Sequence, residues 1–182
     1  HMKKLIKAGL GVLTGCFLLA GCSTAAATGA IQKPASNEEA AAISNPVKQV
    51  TKEELGASTG LFLTAPEGAE NVSYAVIQGS EDSRIAQMEY TVDGTTYTYR
   101  AQSVSDPNGK DISGVYEEWT QEEPAEIQYC QGTWKSGANT SVLTWNDPVP
   151  GISYSLSTRQ KADKDQLLKA ADTVFVSVQG NC

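Results

Sequence analysis

The most regular pattern in the chain runs from Ile85 to Gln102, where apolar and polar residues alternate on both sides of Asp93-Gly94. Strict alternation predicts strands with one buried face, because successive side chains point to opposite sides. Asp-Gly between two such runs predicts a two-residue type I′ turn, which needs positive φ at both positions. That turn fixes the register, setting Val92 opposite Thr95, Tyr90 opposite Tyr97, Met88 opposite Tyr99 and Ala86 opposite Ala101. This face is apolar and aromatic. The other carries Gln87, Glu89, Thr91, Thr96, Thr98 and Arg100, with Glu89 and Arg100 as a diagonal pair, and is expected to meet water. Ile152–Thr158 repeats the pattern: Ile152, Tyr154 and Leu156 alternate with Ser153, Ser155 and Ser157, after a turn signalled by Pro148, Pro150 and Gly151.

Shorter runs predict strands at Leu61–Thr64 and Asn71–Gln78, separated by a Pro66-Glu67-Gly68 turn, and at Val115–Trp119, Glu126–Trp134 and Thr140–Trp145. A last short strand is expected from Phe175 to Val178. Thr51 is a candidate N-cap for a short helix through Leu55, ended by Gly56, with Glu53 and Glu54 in the first turn where the helix dipole favours acids. Asp163–Thr173 reads as the main helix, since Leu167, Leu168, Ala171 and Val174 share one face and Lys164, Asp165, Lys169 and Asp172 the other. The expected fold is α+β: a curved, mostly antiparallel sheet with a C-terminal helix packed on one face.

The first residues follow another pattern. Lys3, Lys4 and Lys7 precede an apolar run from Ala8 to Ala20 that is too short to span a hydrocarbon core of ~30 Å as a helix. The run ends in Leu19-Ala20-Gly21-Cys22, which resembles a bacterial lipobox. The resemblance implies diacylglycerol on the Cys22 sulfur and cleavage before Cys22. The expected partner of the N-terminus is therefore the membrane, through that lipid, with the rest of the chain outside the cytoplasm. Residues 22–46 are rich in Ala, Ser, Thr, Asn and Glu, and too poor in large apolar groups to offset their ordering entropy, so they read as a flexible tether. Residues 1–21 are then a signal peptide, with His1 ahead of Met2 as a cloning remnant, and residues 47–182 a single domain.

Charge narrows the function. From Cys22 onward 11 basic residues face 21 acidic ones, a balance of -10, which argues against a nucleic-acid partner held by phosphate contacts. His1 is the only histidine, so histidine-dependent catalysis and histidine metal ligation are not expected. No cofactor or metal is expected either. Cys130 and Cys182 are the two thiols left after Cys16 and Cys22, and in an oxidising compartment they form a candidate disulfide worth roughly 4 kcal/mol by loop-closure entropy, with free thiols as the alternative.

Other motifs fail on context. Gly56-Ala57-Ser58-Thr59-Gly60 fits the spacing of a hydrolase nucleophile elbow, but a helix precedes it and a strand is expected after it, the reverse of the elbow's order. Asp106 to Asp111 resembles the start of a calcium loop, yet Lys110 falls where an oxygen ligand belongs. Glu117, Glu118, Glu122, Glu123 and Glu126 offer carboxylates for glycoside hydrolysis, but they crowd one stretch broken by Pro124. Trp119, Trp134 and Trp145 form a candidate stacking platform for sugar or peptide, against the alternative that they are core.

Leu143-Thr144-Trp145, the Pro148-Val149-Pro150-Gly151 turn, Tyr154-Ser155-Leu156-Ser157 and Leu167-Leu168-Lys169-Ala170-Ala171 together resemble the C-terminal part of a domain of unknown function. That domain occurs in extracytoplasmic proteins of Gram-positive bacteria, some of them lipoproteins. The resemblance implies no catalytic residues. The expected function is a non-catalytic binding or sensory module at the cell surface for an envelope protein, peptide or cell-wall glycan. The alternative is an accessory carbohydrate-binding or glycoside-hydrolase-like protein.

Overall fold

The computed structural model describes residues 46–79 and 84–176. The lipobox with Cys22, the tether up to residue 45 and Cys182 lie outside them. The elements run β1 (Val47–Val50), α1 (Lys52–Thr59), β2 (Glu70–Gln78), β3 (Arg84–Val92), β4 (Thr95–Ser103), β5 (Gln121–Ile127), β6 (Cys130–Ser136), β7 (Ser141–Asp147), β8 (Ile152–Thr158) and α2 (Lys164–Val174). The strands form one sheet in the order β1-β2-β3-β4-β8-β7-β6-β5, antiparallel at every pairing. A mostly antiparallel sheet with two helices, one of them C-terminal, agrees with the expected α+β class, although helix content is small.

The β3–β4 hairpin has the register that its turn requires. Tyr90 pairs with Tyr97 and Met88 with Tyr99, and Asp93 and Gly94 take φ of 49° and 77°. Directly paired residues share a face, so the buried side can be followed across the sheet through Tyr99, Leu156, Leu143 and Trp134. Leu55 from α1 and Leu167, Ala171 and Phe175 from α2 and its end belong to the same core. Its centre is aromatic: Trp145 lies 5.4 Å from Tyr154 in a stack, and Phe175 meets Tyr154 at 4.8 Å. Such pairs add about 0.5–1.5 kcal/mol each beyond their burial.

Several expected elements differ. The first helix runs past Gly56 to Thr59 and stops at Gly60, whose φ of 71° is the left-handed conformation that glycine accepts. Its start is as expected: Thr51 and Glu54 cap each other's backbone. Leu61–Thr64 forms no strand, because Leu63 is buried in the core from an irregular segment. Glu126–Trp134 is a hairpin and not one strand. Gln128 and Tyr129 form its turn at φ of 47° and 71°, and Pro124 sits in β5, an edge strand where a missing N–H costs least. Val115–Trp119 is irregular, and Phe175 and Val176 are not strand; the rest of that expected strand lies outside the described residues.

The greatest departure concerns the second face. It was expected to meet water, yet Gln102, Ser153, Ser155 and Ser157 are all buried there. The segment between β4 and β5 crosses it and seats Ile112 against Ile77 and Ile85. Both faces of the central strand are therefore covered.

Candidate polar binding site

Arg100 is the cation at the middle of the hydroxyl face. The ladder places Gln87 directly beside it on β3 and Ser155 directly beside it on β8. Its Nε donates to Gln87 Oε1 at 2.9 Å and its Nη1 to the carbonyl of Ile112 at 3.1 Å. The expected diagonal pair with Glu89 is thus replaced by Gln87, which the register holds closer. Arg100 is half-buried, and burial lowers its pKa from the ordinary arginine value, while Tyr116 and Asp111 act the other way. No carboxylate among the described residues forms an ion pair with Arg100 or Arg159.

The covering segment is shaped to fit this guanidinium. A Cβ at Gly114 would stand 2.6 Å from Nη1 of Arg100, and Gly114 has φ of 67°. Asp111 accepts from the Ser113 backbone and the Ser113 hydroxyl from that of Val115, which fixes the bend. Between segment and sheet lies a cavity of about 480 Å³. Thr96, Thr98 and Ser157 supply hydroxyls, Arg100 and Arg159 positive charge, and Glu89 a carboxylate on the β3 flank. Ser155 Oγ, next to Arg100, is buried without a hydrogen-bond partner among the described residues.

A second cavity of about 480 Å³ opens on the other side of the sheet. It is apolar, lined by Leu61, Tyr99, Ile152 and Val174 among others, and rimmed by Phe62 and Val176, which are 78% and 79% exposed. The Phe62 ring lies over Gly56, where a Cβ would collide with it.

The residues singled out from the sequence fall elsewhere. Trp134 and Trp145 are buried in the core, and only Trp119 is half-buried, in the irregular segment before β5. The stacking platform is therefore overturned, because two of its three rings offer no face to a ligand. The glutamates are dispersed. Glu122 pairs with Lys135 and Glu123 with Lys164, on opposite faces of β5, while Glu117 accepts from the Asn139 backbone. Ser58 is exposed on α1. Asp106 accepts from the Asn108 backbone two residues on, so that loop is a local turn. Among the described residues no group of three or more His, Cys, Asp or Glu could hold a metal ion. Cys130 is fully buried at the start of β6, and its expected partner Cys182 lies outside the described residues.

Sequence reasoning missed Arg159 and the hydroxyls of Thr98 and Ser157 as cavity residues. A signal was present: alternation put Thr96, Thr98, Arg100, Ser155 and Ser157 on one face, and a single cation among hydroxyls is an unusual solvent face. No family, curated protein or solved structure matches the chain.

Proposed function

We propose that the chain is a bacterial lipoprotein, held outside the cytoplasmic membrane by lipid on Cys22, whose domain 47–182 is a non-catalytic binding or sensory module. The observation that supports the binding reading is the polar cavity around Arg100. Its floor is a sheet with both faces covered, and its central side chain is fixed by two hydrogen bonds. Rigid polar groups converging on a cavity are what a specific small-ligand site requires. We take the sheet to curve, since strand twist accumulates across its eight strands. A hydroxyl-rich cavity favours an envelope glycan over an apolar peptide as ligand, which keeps the accessory carbohydrate-binding reading as the second one.

Two measurements test the proposal. The full chain should partition with membranes and carry lipid mass, and Cys22→Ala should lose both; equal partitioning without lipid would overturn the anchor. Capture from an envelope extract should retain a glycan on the wild-type domain and not on a Thr98→Val, Ser157→Ala variant that folds normally. Retention by both would show that the glycan does not bind in this cavity.

The disulfide remains part of the proposal. Joining Cys182 to the buried Cys130 would fix the chain end to β6. Intact mass should rise by the two hydrogens of one bridge on reduction, and an unchanged mass would mean free thiols.

A further inference from the structure

The apolar cavity beside Phe62 and Val176 has nothing around it to define its occupant, whereas the polar cavity carries its own chemical statement. Five N–H donors radiate from a guanidinium, and two of those of Arg100 are used by Gln87 and Ile112. Its charge is half-buried and meets no carboxylate within ion-pair distance among the described residues. Withdrawing a charge from water is costly unless a counter-charge and hydrogen bonds replace the lost hydration. Here the hydrogen bonds are partly supplied, and the counter-charge comes only from Asp111, which acts on Arg100 from beyond ion-pair distance. Arg159 adds a second cation at the end of β8, and it too lacks an ion-pair partner among the described residues. Thr98 and Ser157 pair directly across β4 and β8, which places two hydroxyls side by side in the same cavity. Glu89 and Asp111 are the acidic groups nearby. Asp111 is occupied by the Ser113 backbone, and Glu89 pairs with Thr98 in the ladder, one step from Arg100.

We propose that this cavity seats an oxyanion, the carboxylate or phosphate of a small sugar-like ligand, with Arg100 and Arg159 opposite its charge and Thr98 and Ser157 donating to its oxygens. The planar fork of arginine matches the two oxygens of such a group, and a charge-assisted bond is about twice as strong as a neutral one. Because the chain as a whole is acidic, the attraction is local to the cavity and should weaken with salt. The inference rests on the binding-module reading and supplies its ligand chemistry.

The test is calorimetric titration of the full chain in detergent micelles with glucuronate, glucose and inorganic phosphate. Glucuronate and glucose are of similar size and differ in the carboxylate, and phosphate separates the two oxyanion sources. Glucuronate, phosphate or both should bind at least about tenfold more tightly than glucose. Arg159→Gln, at an exposed position where folding is not at stake, should weaken the bound anion about tenfold, whereas Glu89→Gln should tighten it by removing a like charge. Glucose binding as tightly as glucuronate would overturn the oxyanion and leave the binding module standing. Binding unaffected by Arg159→Gln would also overturn it. If none of the three probes binds while an envelope digest still occupies the cavity, only the oxyanion fails; if the digest does not bind either, both readings fail.

Discussion

Gly114 stands against the Arg100 guanidinium so closely that a single methyl group in its place would lie 2.6 Å from Nη1. The segment that carries Gly114 is attached to the sheet's hydroxyl face by the Arg100 bond to the Ile112 carbonyl and by Ile112 packing on Ile77 and Ile85. Gly114→Ala adds that collision to the penalty of a positive φ, whereas Gly94→Ala in the β3–β4 turn adds the φ penalty alone, with open space around it. The expected loss is about 1 kcal/mol at Gly94 and roughly 2–3 kcal/mol at Gly114. Denaturant unfolding of the two variants checks it, and equal losses would show that the segment is not pressed against Arg100.

The tryptophans should separate into two classes. Trp145→Ala removes a fully buried ring from the aromatic centre and should cost about 3–5 kcal/mol. Trp119→Ala, half-buried in an irregular segment, should cost less than about 1.5 kcal/mol. Acrylamide quenching of single-tryptophan variants gives an independent reading: Trp119 should be quenched much more than Trp134 or Trp145. Equal quenching of all three would contradict their placement.

Tyr129 holds φ of 71° while 67% exposed, so its side chain gains little packing in return for left-handed strain. Tyr129→Gly should therefore stabilise the protein by roughly 1 kcal/mol. Its neighbour acts in the opposite sense. Gln128 Nε2 donates to the carbonyl of Phe175 at 2.6 Å and ties the β5–β6 turn to the end of α2, so Gln128→Ala should destabilise by about 1 kcal/mol. Thermal unfolding of both variants decides, and a destabilising Tyr129→Gly would show that the ring does more than its exposure indicates.

Two titrations bound the pH range of stability. Hydrogen bonds from the Asn139 backbone and then the Thr140 hydroxyl hold the Glu117 carboxyl below its ordinary 4.5. A lowered carboxylate pKa favours the folded state above the ordinary value, and that contribution is lost as pH falls through the lowered one. Glu117→Gln should therefore trail the wild type at pH 7 and converge with it in acid. At the other limit, burial and then the nearby Asp147 push the Tyr154 phenol up to about 12, and burial raises Tyr99 as well. Stability should persist up to pH 10 and decline above it, because the unfolded chain releases those protons first. Unfolding midpoints measured against pH check both limits. A gap between Glu117→Gln and wild type that does not close in acid would contradict the first, and a flat profile above pH 10 the second.

Local chemistry made part of the fold legible. Asp93-Gly94 states its turn type outright, alternation carries the register outward from it, and Thr51 caps the helix it precedes, while the main helix begins one residue later than expected, with Asp163 as its cap. The Gln128-Tyr129 turn was not legible, because neither residue signals left-handed backbone; a bond to Phe175, 47 residues away, contributes to holding it. The polar cavity was half legible. Alternation grouped its hydroxyls with Arg100, but that the segment bearing Ile112 and Gly114 would close over them depends on contacts distant in sequence. The tryptophans stood out as ligand-stacking groups by residue type alone, whereas the β7–β8 register in the structure puts Trp145 opposite Tyr154, on the apolar face.

The polar cavity around Arg100 is where the proposed ligand must bind. The direct measurement is amide chemical-shift mapping of the domain 47–182 during titration with a soluble digest of the bacterial envelope. Saturable shifts should concentrate at Thr98, Arg100, Ser113, Gly114, Ser157 and Arg159, which together line the cavity. Shifts confined to the Phe62 and Val176 surface, or none at all, would contradict it.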